Sequence, residues 1–165
     1  MKRSIGLRLL VLPTLLLGAC STQTPRTETV SMVESATPFL MFQDGNAEEA
    51  MAFYVSLFPD GRIIDVERFG PEGPGEPGSV LLGRFEIADQ RVMCTDSPPV
   101  HEFGFTPSIS LFIECESVER MDTLAAGLVD GGAFLMPPDN YGFSERFAWV
   151  NDRYGVSWQL NYAGE

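Results

Sequence analysis

The sequence predicts an α+β domain built from two βαβββ modules. Strand-like and helix-like stretches alternate from residue 37 onward in the order strand, helix, three strands, and that order then repeats. The two starts, near Thr37 and Pro107, lie about 70 residues apart. At 44% hydrophobic and 21% charged residues, the chain has enough apolar surface for a packed core and does not have a disordered composition. The halves share a pattern rather than residue identity. A βαββαβ unit would need two helices for every four strands and fits the order poorly.

The first strand is the short apolar run in TPFLMFQ. Asn46 then precedes a helix with Glu49 three residues on, a capping-box-like start with Asn in the place of Ser or Thr. Ala50, Phe53, Tyr54, Leu57 and Phe58 recur at helical spacing and give that helix one apolar face. Pro59-Asp60-Gly61 stops it. Strands follow at 62–69, 79–87 and 90–95. The segment GPEGPGEPG between the first two of these can be neither helix nor central strand.

The second half repeats the scheme. Residues 108–115 form an apolar strand, and Ser117 caps a helix whose face is Val118, Met121, Leu124, Ala125 and Leu128. Gly131-Gly132 ends that helix. Strands follow at 133–136, 143–151 and 156–162. Asp152 and Gly155 read as a tight turn between the last two strands, with glycine at positive φ. Alternation assigns faces. In the last strand Val156, Trp158, Leu160 and Tyr162 share the helix side, and Ser157, Gln159 and Asn161 the other. In the fifth strand Ile109, Leu111 and Ile113 face the helix, and Ser108, Ser110 and Phe112 turn away.

The first twenty residues, MKRSIGLRLLVLPTLLLGAC, read as an address. Lys2, Arg3 and Arg8 surround an apolar run from Leu9 to Leu17. That run is shorter than the roughly 20 residues a membrane-spanning helix needs, and fits a secretory signal peptide. Its end, Leu17-Gly18-Ala19-Cys20, resembles the lipobox of bacterial lipoproteins. The resemblance implies cleavage of residues 1–19, a lipid such as palmitate on Cys20, and an envelope protein held on the membrane through that anchor. Ser21 after the cysteine resembles the outer-membrane sorting pattern, which would place the domain on the periplasmic face. Residues 20–36, polar and rich in Ser and Thr, are expected to tether this end to the domain at 37–165.

Charge narrows the function. The chain holds 11 Lys and Arg, 23 Asp and Glu, and one histidine, with a net charge of −12. Losing the signal removes three cations and no acids, leaving −15 and no lysine. Schiff-base chemistry and a P-loop lysine are excluded for the mature chain, and no basic face is available for nucleic acid. A metal site of two or three histidines cannot come from one chain with only His101. In an oxidising compartment Cys94 and Cys115 have two readings, separate buried thiols or a disulfide.

Three stretches carry a family resemblance. TPFLMFQDGNAEEAMAFYVSLFP, PSISLFIEC and DRYGVSWQLNY resemble, in this order, the opening strand and helix, the fifth strand and the closing hairpin of the PhnB-like branch of the vicinal oxygen chelate superfamily. That superfamily also includes glyoxalase I, bleomycin-resistance proteins and extradiol dioxygenases. The likeness covers 37–162, with modules at about 37–96 and 107–162. It implies a curled mixed sheet around a cup, and a homodimer, since relatives complete their cups by pairing modules within or between chains.

Carried over by motif, the positions of metal ligands hold Phe39, Ser108 and Gln159. Phenylalanine cannot ligate, serine ligates poorly, and neutral glutamine adds no charge to hold a divalent ion. The expectation is therefore a cup with neither metal nor cofactor. Its lining includes Phe39, Ser108, Ser110, Phe112 and Gln159, with His101 at the rim in the linker between modules and no catalytic residue assigned. Phe42, Phe103, Phe105, Phe112 and Trp149 are further aromatic candidates. The function expected is binding or sequestration of an unidentified small, mostly apolar molecule. The alternatives are a superfamily enzyme (a lyase, an isomerase or a demethylubiquinone methyltransferase) and a structural dimer at the envelope.

Overall fold

A computed structural model of the chain describes residues 33–164. The signal peptide and Cys20 lie outside them, as does most of the tether. The chain divides into Met1–Glu34 and Ser35–Glu165, and the elements among the described residues belong to the second unit. They are β1 (Phe39–Phe42), α1 (Ala47–Leu57), β2 (Arg62–Arg68), β3 (Val80–Ile87), β4 (Gln90–Asp96), β5 (Leu111–Glu114), α2 (Val118–Val129), β6 (Ala133–Asp139), β7 (Arg146–Asn151) and β8 (Ser157–Tyr162).

Each module forms its own four-stranded mixed sheet, in the orders β1-β4-β3-β2 and β5-β8-β7-β6. In both, the strand before the helix pairs parallel with the last strand of the module, Phe39 opposite Met93 and Leu111 opposite Trp158. The helix supplies the crossover that a parallel pair requires, and the remaining strands join as antiparallel hairpins. Pro137 and Pro138 fall in β6, an edge strand whose pairing with β7 is broken by register shifts, which is where a strand tolerates residues without an N–H.

The helix-covered faces of the two sheets share one core. Tyr54 of α1 lies 5.1 Å from Trp158 of β8, ring to ring, and 6.0 Å from Phe85 of β3. Trp158 and Tyr54 are fully buried. Gly127 in α2 lets Leu57 of α1 approach so closely that an added Cβ would meet its Cδ2 at 2.7 Å. Arg120 of α2 donates to the Leu57 carbonyl at 2.7 Å and covers the Phe58 ring. Contacts of this kind make the helices, rather than the sheet edges, the seam between modules.

Two starts differ from expectation. Asn46 precedes α1, but its side chain makes no capping bond. Asp96, from β4, does that work: its carboxylate accepts from the Ala47 N–H and the Val80 N–H, both at 2.9 Å. Glu48, the residue before the predicted Glu49, forms a two-pronged ion pair with Arg68. The fifth strand is also shorter than the apolar run predicts. Ser108 N–H bonds to Thr106 Oγ1 and Ile109 N–H to the Thr106 carbonyl. This turn delays pairing with β8 until Leu111 and leaves Ile109 77% exposed rather than under α2.

The β7–β8 turn is as predicted. Gly155 has φ of +86°, and Asp152 accepts from Tyr154 N–H, Val156 N–H and Trp158 Nε1. Burial pushes the Asp152 carboxyl above the usual range against these bonds. Cys94 and Cys115 are both free. Burial, assisted by the nearby Asp96 charge, pushes the Cys94 thiol up to about 12.

Candidate functional site

The faces turned away from the helices carry the polar side chains. Residues paired across a ladder share a face, so in the second sheet Ser157, Gln159 and Asn161 align with Asn151, Trp149 and Phe147 of β7, and Gln159 and Asn161 with Phe112 and Glu114 of β5. A single chain of hydrogen bonds crosses this face. Trp149 Nε1 donates to Ser157 Oγ at 2.8 Å, the Ser157 and Ser110 hydroxyls are 2.8 Å apart, and Gln159 Nε2 donates to Ser110 Oγ at 3.2 Å. Beside it, Asn161 Nδ2 donates to Glu114 Oε2 at 2.8 Å. The far side of the face is walled by Phe143 and Tyr141 from the β6–β7 loop, with Phe143 set 5.1 Å edge-on to Phe147. Phe112 stands half-exposed over the near side.

Two clefts flank the free edge of β5. The larger, of about 420 Å³, runs between Phe112 and Glu114 and the β3–β4 turn at Ala88 and Gln90. The smaller, of about 190 Å³, lies between Phe39 of β1 and Ile109 and is mostly apolar. Ser110 lines both. The polar chain therefore ends at an opening rather than in the core.

The first sheet presents a different face. Arg84 of β3 bridges Asp65 at 2.6 Å and Glu67 at 3.0 Å, both from β2. Arg62 pairs with Glu86 at 2.5 Å. Thr95 spends its hydroxyl on the Leu81 carbonyl at 2.8 Å. Pairing within this face satisfies each of these groups.

The residues singled out from the sequence are distributed as follows. Gln159 and Phe112 are directly paired across β8 and β5, and Ser110 joins Gln159 by hydrogen bond. Phe39 begins β1 at the small cleft and is 54% exposed. Ser108 lies in the turn before β5, bonded to Thr106. His101 sits in the linker, its ring stacked on Phe103 at 4.9 Å and its backbone N–H donating to Gln43. Neither residue joins the Ser110–Gln159 group. Phe42 packs in the core against Phe105, whereas Phe103 is exposed. Ser157 and Trp149 complete the polar chain. Trp149 was recognisable only as an aromatic, and Ser157 only as the neighbour of Gln159 on an alternating strand.

The donor set does not suit a metal. Among the described residues there is no group of three or more His, Cys, Asp and Glu side chains placed to hold an ion. Gln159 and Ser110 are neutral and joined by one hydrogen bond. A divalent ion needs carboxylate, imidazole or thiolate charge that these positions do not offer.

Comparison with known proteins completes the description. No curated protein matches the chain. A PhnB protein of Bacillus cereus, which carries a 3-demethylubiquinone-9 3-methyltransferase name, is 48% identical over 79% of this chain and 100% of its own, with a TM-score of 0.75. A Pseudomonas aeruginosa protein shares the fold at 23% identity and a TM-score of 0.71, over 81% of this chain and 100% of its own. A fosfomycin resistance protein of Listeria monocytogenes, solved with Mn(II) and a dihydroxypropylphosphonic acid, shares it at 15% identity and a TM-score of 0.56, over 81% and 95%. The two βαβββ modules thus have the architecture of the glyoxalase-like, vicinal oxygen chelate fold. Residues 34–161 match one family throughout, and the chain belongs to that family, described as 3-demethylubiquinone-9 3-methyltransferase and PhnB-like in its relatives.

Proposed function

We propose that the protein is a metal-independent binding module, taking a small, mostly apolar molecule on the open face of its second sheet. One observation carries this reading: the face joins a neutral hydrogen-bonded chain, Trp149–Ser157–Ser110–Gln159, to a half-exposed Phe112 and two clefts. Apolar walls with a few placed polar groups are the usual make-up of small-molecule sites. In the same reading the lipid on Cys20 holds the domain at the cell envelope, on the periplasmic face where there is an outer membrane. A second copy of the chain pairs with this one as a homodimer. The acidic exterior keeps the domain solvated.

The family name favours a second reading, methyl transfer to a quinone-like ring. It requires a seat for a methyl donor. The Gly- and Pro-rich segment 70–78 is not a nucleotide loop, because it leads into a strand rather than a helix N-terminus.

Thermal melts with Zn, Ni, Mn and Fe, and with a panel of apolar metabolites, separate the readings. The expected result is no stabilisation by any of the metals and a raised Tm with at least one apolar compound. A large metal-induced rise, abolished by Gln159→Ala, overturns metal independence. Methyl transfer to a demethylated quinone in the presence of a sulfonium donor supports the second reading instead.

A further inference from the structure

We infer that the ligand of this face is neutral and flat and carries a hydrogen-bond acceptor beside a donor, the pattern of an amide. The inference rests on the binding reading above. It follows from counting protons along the polar chain. Trp149 Nε1 can only donate, and it donates to Ser157 Oγ. At the other end Gln159 Nε2 also donates inward, to Ser110 Oγ. The two serines bring two hydroxyl protons but share one bond, at 2.8 Å. One serine proton is surplus. Either hydroxyl could donate in the shared bond, but Ser157 is 3% exposed and has no other acceptor among the described residues, so its proton goes to Ser110. The surplus therefore falls to Ser110, which is half-buried and lines both clefts.

Gln159 supplies the complement. One of its two Nε2 protons goes to Ser110; the second, and Oε1, have no partner among the described residues and lie on the same half-exposed amide. A free O–H at Ser110 thus stands next to an amide with one free N–H and a free carbonyl at Gln159. A ligand that offers an acceptor beside a donor can accept a hydrogen bond from this pair and also donate one to Gln159 Oε1. One that offers only acceptors leaves Oε1 unmatched, and one that offers only donors leaves the Ser110 proton unmatched, which is costly in a desolvated site.

Charge points the same way. The arginines of the second module are engaged elsewhere: Arg146 pairs with Asp122, Arg153 with Asp130, and Arg120 with the Leu57 carbonyl. An anion on this face would meet no counter-charge and would approach Glu114. Phe112 and Trp149 offer flat apolar surface for a ring beside the polar pair.

Four probes of nearly the same shape test the inference: benzamide, benzoate, benzamidinium and toluene. The two tryptophan indole N–H resonances of the 15N-labelled protein serve as readout. Trp149 lies in the polar chain, and Trp158, bonded to Asp152 in the core, is the internal control for an intact fold. Benzamide is expected to shift the Trp149 signal with an affinity about tenfold above the other three. Ser110→Ala is expected to lower it to the level of toluene while leaving Trp158 unmoved. Equal binding of toluene, benzoate or benzamidinium overturns the inference but leaves the binding reading standing, as does benzamide binding that Ser110→Ala does not weaken. No shift with any of the four probes overturns both.

Discussion

The two modules share an element order and a pairing scheme, yet they are held by different kinds of interaction. In the first, the start of α1 is fixed from a distance. Asp96 reaches back across 49 residues to take the Ala47 N–H, and the same carboxylate ties down the start of β3 at Val80. In the second, the start of α2 is fixed locally, by Ser117 Oγ accepting from Arg120 N–H at 3.1 Å. The open faces differ in the same sense. Arg84, Asp65, Glu67, Arg62 and Glu86 pair as ions on the first. Neutral hydroxyl, amide and indole groups link up on the second. Ion pairs that satisfy one another make a closed surface, whereas a neutral chain with an unmatched end makes a receptive one. In the proposed reading, the duplication leaves one module to scaffold and the other to recognise.

The caps offer the largest expected contrast. Asp96→Ala leaves two buried N–H groups on two different elements without an acceptor, at about 1–3 kcal/mol each, so a total loss of about 3 kcal/mol is expected in denaturant melts. Ser117→Ala removes one local bond and is expected to cost about 1 kcal/mol. Equal losses would mean that the first module does not depend on its long-range carboxylate.

This cap also marks where the sequence stops being legible. Asn46 followed by Glu49 has the look of a local start, and nothing nearby shows that the acceptor comes from the end of β4. A cap drawn from a distant strand leaves no periodic trace. The face of β8 was legible because Val156 to Tyr162 alternate without a bulge, and this placed Gln159 on the open side. The extent of β5 was not. Residues 108–115 carry an apolar residue at every second position from Ile109 to Cys115, but strand length is set by where Trp158 to Asn161 offer partners. Ser110 was placed on the correct side of the strand by alternation, and its bond to Gln159 depends on a register that only the pairing of β5 with β8 supplies.

The thiols sharpen the comparison through pH. Cys94 lies in the shared core against α1, and burial raises its pKa from 9.0 to about 12. A group whose folded pKa is raised contributes stability that is complete below its unfolded value. That stability is lost as pH climbs toward the folded value, because the unfolded chain gains thiolate that the folded chain refuses. The wild-type protein should therefore lose about 1.4 kcal/mol for each unit above pH 9 from this group, up to about 12. Cys115, only half-buried, is shifted in the same direction by burial. Melts between pH 8 and 11 should show a shallower alkaline decline for Cys94→Ala than for the wild type, and a smaller change of slope for Cys115→Ala. Identical slopes for wild type and Cys94→Ala would place Cys94 in contact with solvent.

The smallest effects test the open faces themselves. Arg84 is one cation between two acids, with 29% of its side chain exposed and Asp65 and Glu67 about half-exposed. Water and salt screen such pairs, so Arg84→Ala should cost less than either cap substitution. That loss should shrink further in 1 M salt, where screening acts over about 3 Å. Ser157→Ala on the other face leaves the part-buried Trp149 indole N–H without its acceptor and should cost about 1 kcal/mol. Because neither partner is charged, salt should leave that value unchanged. The informative quantity is the difference in salt response rather than either loss alone. If the Arg84 loss persists in high salt, the ion pairs are desolvated and the first face is covered in solution.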